Sequence, residues 1–151
     1  QCYASGSVTA DKGAGGLVGY NNSGTLTNCY ATGGVNGTRY VGGLIGYNNT
    51  GTATSCFAIG PVSGTDNTGG LVGLDNTGLS SDTLVDVNCF YNSETTGMSD
   101  TGKGTPSTSV LMKNKTFYIN AGWDFKDESG NGIDDVWSIG NGYPYLTCFA
   151  K

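Results

Sequence analysis

The chain has 151 residues, a net charge of −5 and only 13% charged residues, while glycine alone fills 27 positions. Its few lysines form no basic patch in either half, so the electrostatic footprint of a nucleic-acid binder is missing. No histidine occurs, which removes Ser–His and Cys–His nucleophilic sites and His-based zinc sites, and no apolar run of about 18 residues offers membrane insertion.

Aromatic residues reach 11%, too many for a disordered linker. Glycine and small polar residues combined with aromatics suit an all-β chain rich in turns. From the N-terminus, the octet GGLVGYNN at 15–22 returns as GGLIGYNN at 42–49 and as GGLVGLDN at 69–76, each 27 residues on. Cys2, Cys29 and Cys56 keep the same spacing, as do Tyr3, Tyr30 and Phe57, then Ala4, Ala31 and Ala58, and Val8, Val35 and Val62. Gly24, Gly51 and Gly78 close the repeats. The repeats are therefore 2–28, 29–55 and 56–88, and Cys89-Phe90 starts a fourth after six extra residues that fall in a loop at 79–88.

A 27-residue period leaves little room for a helix pair. Each repeat instead holds short strand-like runs, such as TNCYAT at 27–32 and VGGLIGY at 41–47, separated by glycine-containing turn signals. The expectation is an all-β fold: a parallel β-solenoid of about four short coils over 1–91, each coil hydrogen-bonded to its neighbours about 4.8 Å away. Corners in so narrow a coil favour glycine, which supplies φ > 0 or a missing side chain.

Stacked coils turn repeated residues into columns. Alternation puts Cys29 and Ala31 on one strand face and Asn28, Tyr30 and Thr32 on the other. The small pair is assigned to the core, giving a buried thiol ladder of Cys2, Cys29, Cys56 and Cys89, with Cys148 left over. Leu44 and Ile45 are apolar in every copy, so one packs the core and the other sits at a bend or an outer face. Tyr3, Tyr30, Phe57 and Phe90 form an aromatic column; Tyr20 and Tyr47 begin a second, ended by Leu74. Stacking for stability is the plain reading of the second column, and a sugar-binding platform on Tyr20 and Tyr47 is the functional one. Asn21, Asn48 and Asp75, and beside them Asn22, Asn49 and Asn76, suggest amide ladders that satisfy turn backbone.

Residues 92–151 do not repeat. They are read as a mixed, partly helical C-terminal cap for the apolar end that a solenoid exposes. PSTSVLMKNKTF at 106–117 reads as a short helix capped by Ser107 or Thr108, with Val110, Leu111 and Phe117 on its apolar side. Trp123, Phe125, Trp137, Ile139, Tyr143, Tyr145 and Leu146 supply covering surface. In DESGNGIDD at 127–135, Asp127, Ser129, Asn131 and Asp135 with Gly132 fit the early places of a calcium loop, but the twelfth place is Ser138 rather than a bidentate carboxylate. A polar hairpin with solvated acids is expected, with calcium as the alternative. The acids Asp124, Asp127, Glu128, Asp134 and Asp135 lie among glycine and asparagine with no cleft implied, which argues against a glycosidase pair.

The octet with its upstream NCYATG resembles the GLUG motif, on Gly15–Asn22, Gly42–Asn49 and Gly69–Asn76 with Asn28–Gly33 leading in. That motif recurs in large bacterial surface proteins, including filamentous-haemagglutinin-like adhesins and some IgA-specific peptidases. The AGWDF, Trp137 and GYPYL features of the tail look like the region that often follows such repeats. The resemblance implies an extracellular, noncatalytic part of a bacterial cell-surface or secreted protein, without the HExxH zinc motif of the peptidases. Its partners would be a receptor or glycan on a host or neighbouring cell, and further repeats of the same chain upstream of Gln1. The rival readings are a carbohydrate-binding module of a larger secreted enzyme and a lyase. The lyase is disfavoured because Lys12 and Arg39 align with Asp66, so no cationic groove builds up. A regular ice-binding threonine array is not sustained by Thr25, Thr52 and Leu79.

Overall fold

The computed structural model describes residues 1–76, 86–99 and 104–149, with backbone alone at 86 and 87. The expected loop at 79–88 falls outside these residues as far as 85, as do Gly78 and Leu79. Two compact regions divide at Ser107/Thr108.

In the first region, the first two repeats contribute four strands each, and the third contributes five because the counterpart of their second strand is split in two. The first gives β1 (Cys2–Ala4), β2 (Val8–Gly15), β3 (Val18–Asn21) and β4 (Thr25–Thr27). The second gives β5 (Cys29–Ala31), β6 (Val35–Gly42), β7 (Ile45–Asn48) and β8 (Thr52–Thr54). The third gives β9 (Phe57–Ala58), β10 (Val62–Ser63), β11 (Asp66–Gly69), β12 (Val72–Asp75) and β13 (Asp86–Val87). Then come β14 (Phe90–Asn92), the single-turn helix α1 (Ser93–Thr96) and β15 (Thr105–Ser107).

Strands pair with their counterparts in the adjacent repeats, always in parallel. Four separate small sheets result: β1-β5-β9-β14-β15, then β6 with β2, β10 and β11, then β3-β7-β12, and β4-β8-β13. The register is the repeat itself: Cys2 opposite Cys29, Val8 opposite Val35, Gly15 and Gly69 opposite Gly42, and Tyr20 opposite Tyr47. The fourth copy joins with Phe90 opposite Phe57. The first sheet runs on to β15, well past residue 91.

The core face is the one that carries Cys and Ala. Cys29, Ala31, Cys56, Ala58, Cys89 and Tyr91 pack with Leu44, Ile45, Leu71 and Val72 in one apolar cluster. Leu44 and Ile45 are both inside it. The physical reason is a break in the pleat: one carbonyl, that of Leu71, accepts the amides of both Leu44 and Ile45, and Leu44 O does the same for Leu17 and Val18. Two successive side chains can then turn inward, which regular strand alternation forbids.

The glycines act mainly by absence of a side chain. A Cβ on Gly16 or Gly43 would overlap the carbonyl oxygen of Gly43 or Gly70 and press on the Cβ of Ala31 or Ala58. At Gly70 the same vacancy takes the ring of Tyr91, which stands in the alanine column opposite Ala58. Corners with φ > 0 are formed less by glycine than expected. Asn28, Ser55 and Asn88 share one such position, at 54°, 52° and 54°.

The second region has its own core of Met112, Tyr118, Trp123, Phe125, Val136, Trp137 and Leu146. Trp123 lies 4.7 Å from both Tyr118 and Trp137, ring to ring. The expected helix at 106–117 is displaced. Ser107 belongs to β15, Leu111–Lys113 is a 3₁₀ turn, and the helix α2 is Lys115–Asn120. Its cap is Asn114, whose side chain accepts from Thr116 N at 2.9 Å. Val110 and Leu111 are exposed, and Met112 and Tyr118 take the buried places. Thr108 lies before the 3₁₀ turn and caps no helix, although its hydroxyl accepts from Leu111 N at 3.4 Å. A two-stranded antiparallel pair, β16 (Trp137–Ser138) and β17 (Tyr145–Leu146), completes the region.

Candidate functional site

The described surface of the first region offers three candidate arrangements: the thiol column, the asparagine ladder and an aromatic step. Cys29 is buried, and Cys56 and Cys89 wholly so, while Cys2 is exposed on the edge strand; no disulfide forms. The thiols donate to carbonyls two residues back, Cys29 Sγ to Thr27 O at 3.3 Å and Cys56 Sγ to Thr54 O at 3.2 Å. Contact with the Cys56 side chain, then burial, pushes the Cys29 thiol far above its ordinary pKa. For Cys56 the contact with Cys29 acts downward, but contact with Cys89 and burial outweigh it, and its pKa is also raised. Nucleophilic and metal-binding cysteines require the opposite shift, toward thiolate. Among the described residues no group of three or more Cys, Asp or Glu side chains is placed to hold a metal ion.

The Asn21–Asn48–Asp75 column is a continuous ladder. Asn21 Nδ2 donates to Asn48 Oδ1 at 3.0 Å, and Asn48 Nδ2 donates to Asp75 Oδ1 at 3.1 Å. Each amide also closes its own turn, Asn21 to Gly24 O and Asn48 to Gly51 O. Asp75, an acceptor only, suits the end of the row. Outside it, Asn76 Nδ2 donates to Asn49 Oδ1 at 3.1 Å. These side chains are occupied by the fold.

The aromatic step is open to solvent. Tyr20 is 50% exposed, and its ring centre is 5.6 Å from that of half-buried Tyr47, with the planes tilted by 44°. A third ring joins them that repeat spacing alone does not reveal. Tyr40 lies 5.2 Å from Tyr47. Arg39 places its guanidinium 4.7 Å over the Tyr40 ring, and its Nε donates to Asp66 Oδ2 at 2.9 Å. Asn67 Nδ2 donates to the other Asp66 oxygen at 2.8 Å.

Tyr40 occupies a position with φ of 60°, whose counterparts are Gly13 at 66° and Asn67 at 50°. Glycine and asparagine tolerate this backbone region; a bulky aromatic there is an outlier that costs about 1–3 kcal/mol. The exposed Arg39–Asp66 pair offsets at most about 1 kcal/mol, and the contact with Tyr47 about 0.5–1.5 kcal/mol. The sequence signal for Tyr40 was its place in a column otherwise held by glycine and asparagine.

A shallow groove of about 290 Å³ crosses the same repeats elsewhere, lined by residues 7–9, 34–36 and 61–63. Its lining of Ser, Val, Thr, Gly, Asn and Pro carries no titratable side chain.

In the second region, Asp127, Ser129 and Asp135 are exposed and Asn131 is partly buried. Asn131 turns its amide inward, donating to Ile119 O at 2.6 Å. The carboxylates that gather loop amides are others: Glu128 accepts from Gly130 N and Asn131 N, and Asp124 from Asp134 N. Asp127 and Asp135 hold turn positions with φ of 62° and 49°.

Residues 11–36 match the GLUG motif. Over 59 residues, 38% of its length, the chain is 44% identical to a protein of Evansella cellulosilytica named as a Gly-rich membrane protein. It spans only 6% of that relative. No solved structure matches the chain. No helix among the described residues is long and apolar enough to cross a membrane. The GLUG motif is thus present in this chain, within a mostly β fold built from parallel repeats.

Proposed function

We propose that residues 1–107 form a parallel β-solenoid that serves as a noncatalytic structural and adhesive segment of a bacterial surface or secreted protein, displayed outside the cell. The observation that carries this reading is the register. Four strands of one repeat pair in parallel with the same four strands of the next, at an offset of 27 residues. A chain built this way lengthens by adding repeats, since each contacts only its neighbours. The GLUG motif and a relative named as a membrane protein support a surface setting. A noncatalytic role is supported by raised thiol pKa values, a groove without titratable groups and ladders whose polar atoms are committed to backbone.

Duplicating residues 29–55 in tandem tests the reading. The longer chain should fold cooperatively, and its strand signal in circular dichroism should grow in proportion to the added repeat. Loss of the cooperative transition on insertion sinks the solenoid. Product released from a panel of polysaccharides or peptides sinks the noncatalytic role.

A further inference from the structure

The Tyr40 backbone is strained, and its side chain is only partly buried, meeting half-buried Tyr47 on one side and the exposed Arg39 on the other. Strain that folding does not require points to a function for the strained side chain. What Tyr40 achieves is continuity. It links the Tyr20–Tyr47 rings to the Arg39–Asp66 pair, so a row of side chains in contact crosses three repeats.

The chemistry of that row is specific. Tilted tyrosine faces stack on the C–H faces of a pyranose, and phenolic hydroxyls bond to its rim. Arg39 uses Nε on Asp66, leaving its terminal nitrogens as donors, while the carboxylate beside it accepts. A donor and an acceptor side by side match vicinal hydroxyls. The pair is neutral overall, and the chain carries −5, so a polyanionic ligand is disfavoured. We propose that Tyr20, Tyr40 and Tyr47, together with the Arg39–Asp66 pair, form a binding site for a neutral saccharide. The proposal deepens the adhesive reading, resting on display of this face outside the cell, and supplies its ligand class.

The test is a printed array of neutral mannose-, galactose- and N-acetylglucosamine-containing oligosaccharides beside sialylated and sulfated forms. The intact chain and three variants, Tyr20→Ala, Tyr40→Gly and Asp66→Asn, are applied. Retention on neutral glycans is expected, weakened roughly tenfold in each variant, the scale of one lost stack or charge-assisted hydrogen bond. Tyr40→Gly also relieves the strain, so its melting temperature should rise while binding falls, a combination that a packing role for Tyr40 does not produce. Absence of neutral-glycan retention, or retention unchanged in Tyr40→Gly, overturns the site. Retention on sialylated or sulfated forms alone, lost in Lys12→Gln, overturns the neutral class. Failure here leaves the repeat-duplication result standing, so the two readings fall separately.

Discussion

Asn48 is wholly buried and uses both halves of its amide, accepting from Asn21 while donating to Gly51 O and Asp75. Asn48→Ala would strand a turn carbonyl and two side-chain partners, so a loss of about 2–3 kcal/mol is expected in a urea melt. A change under about 0.5 kcal/mol, the range of ordinary surface substitutions, would mean that the ladder is incidental. The thiol column makes a second demand at this scale. Folded Cys29 and Cys56 hold their protons far above the ordinary value of 9.0, whereas unfolded thiols release theirs near it. Their contribution is fully present below pH 9 and is lost as pH rises above it, by about 1.4 kcal/mol per pH unit for each thiol. Urea midpoints at pH 7, 9 and 10 should therefore fall, and the fall should shrink in a Cys29→Ala, Cys56→Ala double variant.

Between elements, the decisive feature is how closely one repeat lies on the next. Gly43 faces the Gly70 carbonyl and the Ala58 methyl with no room for a Cβ. Ala58 is held by its cross-repeat strand pair, and Gly70 directly follows the paired Gly69, so neither can yield cheaply. Gly43→Ala should cost about 3 kcal/mol, the upper end for overpacking, seen as a lower melting temperature with Gly97→Ala as a strained but uncrowded comparison. Equal losses in the two variants would mean that crowding at Gly43 is not the cause. The helix of the second region illustrates the opposite limit. Asn114, not Ser107, starts it, because residues 105–107 are drawn into a sheet by pairing with β14. Local capping preference loses to a strand edge that needs a partner.

At the scale of the molecule, each compact region carries its own apolar core, and the two were legible to different degrees. A constant spacing of 27 residues was enough to place the strands, their parallel register and the inward face of Cys and Ala, since any stacked repeat must align like with like. The fourth copy is legible from Cys89-Phe90, whereas the space above Gly70 that Tyr91 fills in place of alanine is visible only in the fold. The nonrepeating second region offers no period, and its helix and cap lie away from the expected places, while Trp123, Phe125, Trp137 and Leu146 are buried in its own core. Periodicity along the chain thus determined which residues meet, because identical units impose identical contacts. Tertiary structure alone decided that Leu44 and Ile45 both turn inward through a shared carbonyl, and that Tyr40 takes a left-handed backbone. Those depend on hydrogen bonds and ring contacts between neighbouring repeats, which no single repeat encodes.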